Sequence, residues 1–491
     1  METDELAALG MGRSGFVEEH GLFDERQREA AEQVERAVRE SGLRTVRIGW
    51  ADQHGAVRCK FVSTRNFLLA LRNGIDFSGA VLSMDSGNHV FTPLFVAGGG
   101  FGIPELTGFP DVVLVPDPTT FRVLPWASET GWVLSDMYFN NGRAVPLSTR
   151  HVLRRQLARV HELGYEYVAG LEVEFYILKR ESTRIGPEQT GWPPPPPDVS
   201  VVAQGYQFLS ETRLNEVSGI LSILRDNLEQ VGLPLRSLED EWGPGQTEIT
   251  FDPLPGLAAA DAMVLFRSAA KQVCHAHGYH ATFMCRPALP NFFSNGWHLH
   301  QSLVDASDGR NLFASSGPEP VSELGRQYCA GLLEHAVPMT VFASPTITGY
   351  KRYRPYSFAP DRVTWAVENR GALVRIQGAP GDQGSHVENR LGEPAANPYL
   401  YMASNLAAGL DGITNEKSPP ELVTTDPYAV EAPMLPASLW EAVDALAGDT
   451  FFRGALSDEV VDYVLAVKKS EIGRFLSEVT DWEQREYLDF F

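Results

Sequence analysis

The chain has 491 residues, with 41 Lys+Arg against 63 Asp+Glu and a formal net charge of −22. At roughly 100–200 residues per domain this allows two or three domains and a large core. The acidity argues against a nucleic-acid or anionic-membrane partner and fits a soluble, cytoplasmic enzyme or a large homo-oligomer, and the four cysteines (Cys59, Cys274, Cys285, Cys329) lack CxxC spacing and read as reduced core thiols.

The opening METDELAALG is acidic, unlike a signal or transit peptide, and no run of ~18 apolar residues follows that could span a membrane. Residues 22–42 are rich in helix formers and stop at Gly42, which predicts an amphipathic surface helix within an N-terminal extension, 1–40. Residues 45–62 read as a hairpin turning at ADQHG, and VVLVP (112–116), FRVLPW (121–126) and WVLSDMYF (132–139) read as further strands. The glycine run GGGFG (98–102) has no GK[ST] after it and reads as a loop rather than a phosphate cradle. The texture changes at 140–147. Ser148 is a plausible N-cap for a helix ending before Gly164, and long helices over 209–232, 261–278, 321–336 and 398–413 then alternate with strands. The expected fold is α+β: a small β-rich domain over 41–143 and a large catalytic domain over 144–491. PEQTGWPPPPPD (187–198) must be an exposed loop, since proline supports neither a helix interior nor an inner strand.

The informative feature is where charges sit on strands. In LEVEFYIL (171–178), Leu171, Val173, Phe175 and Ile177 share one face, and Glu172, Glu174 and Tyr176 share the other. Carboxylates at i, i+2 repel unless a cation lies between them. The same design recurs in EDEWGPGQTEITF (Glu241 before the turn, then Gln246, Glu248 and Thr250), in WHLHQSL (His298, His300), in ALVRIQG (Arg375) and in SHVENRL (His386, Glu388, Arg390). Each strand alone also fits a sheet with one solvated face. Together, five glutamates and one or two histidines suit hard cations such as Mg²⁺ or Mn²⁺, and Arg352, Arg370, Arg375 and Arg390 suit phosphoryl and carboxylate oxygens. The residues therefore point to metal-assisted phosphoryl transfer on a curved sheet with a polar face. The histidine-rich CHAHGYH (274–280) falls at a helix end, where His275 and His277 point about 200° apart and cannot chelate together. No GxSxG motif supports a covalent nucleophile.

In order, ExE (Glu172, Glu174), ExGPGQxE (Glu241 to Glu248), GxHxHxS (Gly296 to Ser302), Lys351–Arg352, NRxxxxR (Asn369 to Arg375), ExR (Glu388, Arg390) and ANPYL (396–400) resemble the glutamine synthetase superfamily from about residue 45 onward. The resemblance implies a β-grasp-like N-terminal domain and a catalytic domain on a curved antiparallel sheet covered by helices. It also implies stacked rings, usually a dodecamer of two hexamers, with active sites between subunits. One metal site would comprise Glu174, Glu241 and Glu248, and a second Glu172, His298 and Glu388, with two or three ions per site. Arg352 and Arg390, beside Gly296, would hold glutamate. Arg370 and Arg375 would face the transferring phosphoryl group of ATP, with His300, Ser302 and His386 near the nucleotide. Asp52 matches an acid that reaches into the adjacent subunit to deprotonate the amine, and Tyr206 matches a tyrosine of that amine pocket. The implied chemistry is phosphorylation of the glutamate γ-carboxylate, attack by an amine on the acyl phosphate, and release of phosphate.

The departure lies on the flap. Where ammonia-using relatives carry a glutamate, this sequence has Phe358, and the nearest acid, Asp361, stands three residues away. A benzyl group in place of an anion weakens a site for NH₄⁺ and favours an apolar substituent. The pattern resembles relatives that join glutamate to polyamines, ethanolamine, alkylamines or anilines. An aromatic flap favours an apolar or aromatic amine, because a polyamine would want more carboxylates. Ordinary glutamine synthesis from ammonia is the alternative. A catalytically inactive structural or regulatory member is a second alternative, which would show erosion of the metal and phosphoryl residues; all of them stand. The sequence assigns Tyr350, Tyr353 and Tyr356 no role beyond packing.

Overall fold

The computed structural model describes residues 15–491; the acidic METDELAALG stretch and the rest of the first fourteen positions lie outside the described residues. The predicted first helix spans Glu25–Glu40, opened by a capping box between Asp24 and Gln27. It lays Val34 and Val38 against Val46 and Ile48 of the sheet that follows and Phe67 of the helix Thr64–Asn73.

That sheet has six strands: β1 (Thr45–Ala51), β2 (Val57–Ser63), β3 (Ile75–Ser78), β4 (Asp111–Pro116), β5 (Arg122–Val123) and β6 (Thr130–Tyr138), in the order β2-β1-β6-β4-β3 with β5 on β6. β1 and β2 form the expected hairpin, and β1 runs parallel to β6. FRVLPW contributes only two strand residues, because Leu124 turns inward to the core and the backbone turns with it. GGGFG is a run of turns, as expected.

The second sheet holds the site. Its ten strands are β7 (Tyr165–Arg180), β8 (Val199–Val201), β9 (Leu235–Asp240), β10 (Gln246–Phe251), β11 (Leu254–Pro255), β12 (Tyr279–Thr282), β13 (Trp297–Asp305), β14 (Trp365–Val367), β15 (Val374–Gln377) and β16 (His386–Gly392). The main path runs β14-β15-β16-β13-β7-β10-β9, and every pairing except β14 with β15 is antiparallel. β7 is the spine. Its odd positions Leu171, Val173, Phe175 and Ile177 are buried in the main core, and Phe175 meets Phe266 and Phe283. Helices Thr149–Glu162, Glu211–Gln230, Gly256–Ala276, Glu323–Glu334 and Pro398–Thr414 supply the other side of that core, close to the predicted ranges. With one face of the sheet taken up by helices, the even positions of β7 are left for chemistry. No helix among the described residues is long and apolar enough to cross a membrane.

A buried charge cluster locks the two sheets together. Arg150, on the helix Thr149–Glu162, reaches Asp117, Asp136 and Asp261, each at 2.8 Å, and Arg154 joins Asp117 at 2.8 Å. The fork of a guanidinium lets one side chain satisfy two acids of the first sheet's region and Asp261 of the helix Gly256–Ala276, which packs on the second sheet, at once.

Candidate active site

Strand register brings the carboxylates together. Glu248 of β10 lies directly opposite Glu174 of β7, and Thr250 opposite Glu172. On the other side of β7, His298 of β13 lies opposite Glu172; His300 then pairs across to Glu388 of β16, and Glu388 to Arg375 of β15. Glu241 joins from the turn before β10, where its N–H donates to the carbonyl of Gln246 at 3.0 Å. Like charges directly opposite in a ladder are destabilising, so this arrangement is built for something other than stability.

The electrostatics divide the acids into two groups. Burial and the neighbouring charge of Glu174 push Glu241 up to about 8, and burial with Glu172, Glu174 and Glu241 pushes Glu248 up to about 10. Among the described residues neither Glu241 nor Glu248 forms a salt bridge. Burial would also raise Glu388, but Arg390 and the two histidines hold it down at about 2. His298 and His300 likewise outweigh burial at Glu172 and keep it well below the usual carboxylate range. An oxygen-rich group with two strongly raised acids fits a hard divalent cation.

The second predicted metal trio converges on one atom: His298 Nδ1 bonds Glu172 and lies 3.7 Å from Glu388. The first trio shares mutual repulsion, and Glu174 additionally accepts the Gly296 N–H at 2.7 Å. Within this cluster, two sets of ligand atoms are close enough to share an ion, Glu172–Glu248–His298 and Glu172–His300–Glu388. The first crosses the predicted trios, and the second puts His300 in the place of His298, which draws His300 into the carboxylate cluster: its Nε2 lies 3.0 Å from Glu172, and its Nδ1 lies 2.9 Å from His386. The reason is the ladder, which puts His300 directly opposite Glu388. Ser302 follows two residues along the same face of β13.

The arginines frame the cluster. Arg352 is buried, donates to the Arg390 carbonyl at 3.0 Å and lies 3.4 Å from His298 Nε2. Gly296 makes room for it: a Cβ there would stand 2.8 Å from both Arg352 Nη2 and His298 Nε2. Arg390 pairs with Glu388, and Arg375 bridges Glu388 at 3.0 Å and Glu368 at 2.5 Å. Glu368 and Gln377, whose amide donates to Glu388 at 2.8 Å, escaped sequence reasoning. The position of Glu368 immediately before the NRxxxxR motif was the available signal for it.

Other predicted residues stand outside the cluster. Arg370 and Phe358 are exposed and line a cavity of about 520 Å³ with Tyr356, Asp426, Pro427 and Tyr428. Tyr356, read only as packing, donates to Asp426 at 2.9 Å. Tyr206 is exposed on the loop before the helix Glu211–Gln230. Asp52 is fully buried, and its carboxylate accepts from the N–H groups of His54 and Ala56 and from Arg58 Nε at 2.8 Å. In this chain it holds its own hairpin turn.

Residues 146–487 match the family model described as glutamine synthetase, catalytic domain. A gamma-glutamylanilide synthase of Acinetobacter sp is 45% identical, covering 96% of this chain and 98% of the relative. A glutamate–isopropylamine ligase of Pseudomonas sp is 31% identical, covering 92% of this chain and 96% of the relative. A solved structure described as a GmaS/ADP complex superposes with a TM-score of 0.78 at 29% identity, covering 93% of this chain and 99% of that one. The chain belongs to the glutamine synthetase family. Within it, the similarity runs to the branch of glutamate–amine ligases that form gamma-glutamylamides.

Proposed function

We propose that this protein is an ATP-dependent ligase that joins the γ-carboxylate of glutamate to an apolar or aromatic amine, an arylamine such as aniline above all, to give a gamma-glutamylamide, ADP and phosphate. The observation that carries the amine choice is the flap. Phe358 presents its ring to solvent, and the acids around it are already engaged. Asp361 is buried on Arg362 at 2.8 Å, Asp426 accepts from Tyr356, and Glu368 holds Arg375. No free carboxylate among them replaces the missing flap acid, so NH₄⁺ lacks its anionic partner while a ring gains an apolar one. The names of the Acinetobacter and Pseudomonas relatives support the same reading.

Glu172, Glu174, Glu241, Glu248, His298 and Glu388 would hold two or three Mg²⁺ or Mn²⁺ ions. Bound there, the cations would neutralise the carboxylates and polarise phosphoryl oxygens. Arg352 and Arg390 would orient glutamate, and Arg370 and Arg375 would offset charge on the phosphoryl group as it moves. ATP would lie toward His300, Ser302 and His386. We take residues 41–143 as a β-grasp-like domain, with an N-terminal extension before it that is helical over its described part, 15–40, and 144–491 as the catalytic domain. The working form would be a cytoplasmic homo-oligomer, a dodecamer of two stacked hexamers, with Tyr206 serving amine sites at subunit interfaces.

The test is phosphate release from ATP and glutamate with ammonium, methylamine, isopropylamine, ethanolamine, putrescine or aniline as acceptor. The expected outcome is a higher kcat/KM for aniline or isopropylamine than for ammonium. Ammonium outperforming every organic amine would sink the proposal.

A further inference from the structure

Directly after the metal-facing Glu241 comes an aromatic platform that the reading above leaves unused. The rings of Phe208 and Trp242 stack with centroids 5.2 Å apart and an interplanar angle of 2°. Neither is core: Phe208 is 42% and Trp242 41% exposed, beside Tyr206 at 63% and Leu209 at 52%. Three large side chains on one short surface segment, with Trp242 set against them from the turn before β10, are a costly arrangement for water-facing residues.

The backbone is committed to showing them. Tyr206 and Leu209 adopt φ of +62° and +53°, the left-handed region that side chains rarely enter. The segment is pinned to the turn before β10 by the Tyr206 N–H on the Trp242 carbonyl at 2.8 Å and the Leu209 N–H on the Asp240 carbonyl at 3.2 Å. Glu241, between those two carbonyls, is the acid whose charge contends with Glu174. The platform is thus covalently and geometrically tied to the rim of the carboxylate cluster.

Two flat ligands could use it: the adenine of ATP or the ring of an aromatic amine. Sheet order decides between them. His386 lies on β16 and His300 on β13, whereas the platform belongs to the β9–β10 end of the sheet, with β7 between. It is therefore on the opposite side of the cluster from the residues assigned to the nucleotide. In an arylamine the attacking nitrogen is bonded directly to the ring, so the ring must lie within one bond of the reacting centre. A stacking surface one residue from Glu241 meets that requirement, and ring-on-ring packing is directional.

We infer that Phe208 and Trp242, with Tyr206, form the subsite that binds the aromatic ring of the amine and sets selectivity for arylamines over small alkylamines. This rests on the organic-amine reading above. The experiment is steady-state kinetics of the full chain and its Trp242→Ala, Trp242→Phe and Phe208→Leu variants, with aniline and with methylamine, alongside KM for ATP and glutamate and the assembly size. The expected result is a fall on the order of tenfold in the aniline-to-methylamine ratio of kcat/KM for Trp242→Ala, with recovery of most of it in Trp242→Phe. An equal loss with both amines, an unchanged ratio, a shift mainly in KM for ATP, or an effect explained by altered assembly size would each overturn the inference. Wild-type turnover confined to alkylamines would overturn it while leaving the organic-amine reading standing. Wild-type preference for ammonium is the separate result that removes both.

Discussion

Arg390 Nη2 donates to the backbone carbonyl of Phe358 at 3.1 Å, so an arginine assigned to glutamate also holds the flap. The same guanidinium pairs with Glu388, within the proposed metal cluster. Flap and cluster therefore share one buried cation, the one proposed to hold glutamate. Because the bond is to a main-chain oxygen, the side chain at 358 is free to choose the amine without disturbing the flap's anchor.

Phe358→Glu should then change the acceptor and keep the enzyme. We expect kcat/KM for ammonium to rise at least severalfold and that for aniline to fall, measured by phosphate release. No gain with ammonium would detach this position from amine choice.

Gly296→Ala should disable glutamate binding without unfolding the chain. The added Cβ would crowd Arg352 Nη2 and His298 Nε2, each 2.8 Å away. Small misplacements of such groups cost about 10²-fold in rate. We expect a loss of that order in kcat/KM with a raised KM for glutamate, and an unchanged circular dichroism spectrum.

Removing an acid from the cluster should trade activity for metal-free stability. Glu248 lies among Glu172, Glu174 and Glu241, which repel it. Glu248→Gln should raise the Tm of chelator-treated protein and shrink the Tm increase on adding Mg²⁺ or Mn²⁺. Glu174→Ala should abolish turnover with every amine. Calorimetry with and without metal, beside the phosphate assay, checks both.

Arg150→Met should destabilise the chain by about 3–5 kcal/mol, since it removes the buried cation shared by three acids, leaving Arg154 alone on Asp117 and Asp136 and no cation on Asp261. Burial alone would raise Asp117 and Asp136; Arg150 and Arg154 outweigh it and hold both below the usual range. A depressed carboxyl contributes stability above its unfolded pKa of 3.8, and that contribution is lost as pH falls through the folded value. The Tm gap between wild type and variant should therefore be full at pH 7 and narrow below about pH 4. A gap that widens in acid would contradict the assignment.

Much of the site was legible because a strand alternates with period two. Glu172 and Glu174, His298 and His300, and Glu388 and Arg390 each had to share a face whatever the strand paired with. The helices announced themselves by caps and glycine stops. What spacing could not tell was which atoms meet. His300 joined the carboxylates because register set it opposite Glu388, and Asp52 turned inward because its own hairpin supplied three donors. Glu368 had no periodic partner to mark it.

The sequence by itself determined the faces, the excess of acid over base on them, and the aromatic residue at 358, since these depend only on local geometry and composition. The tertiary structure decided the ladder opposing Glu248 to Glu174, the bond from Arg390 to the Phe358 carbonyl, and the stacking of Phe208 on Trp242. Those are contacts between segments whose separation along the chain carries no information about their distance in space, and only the packed core brings them together.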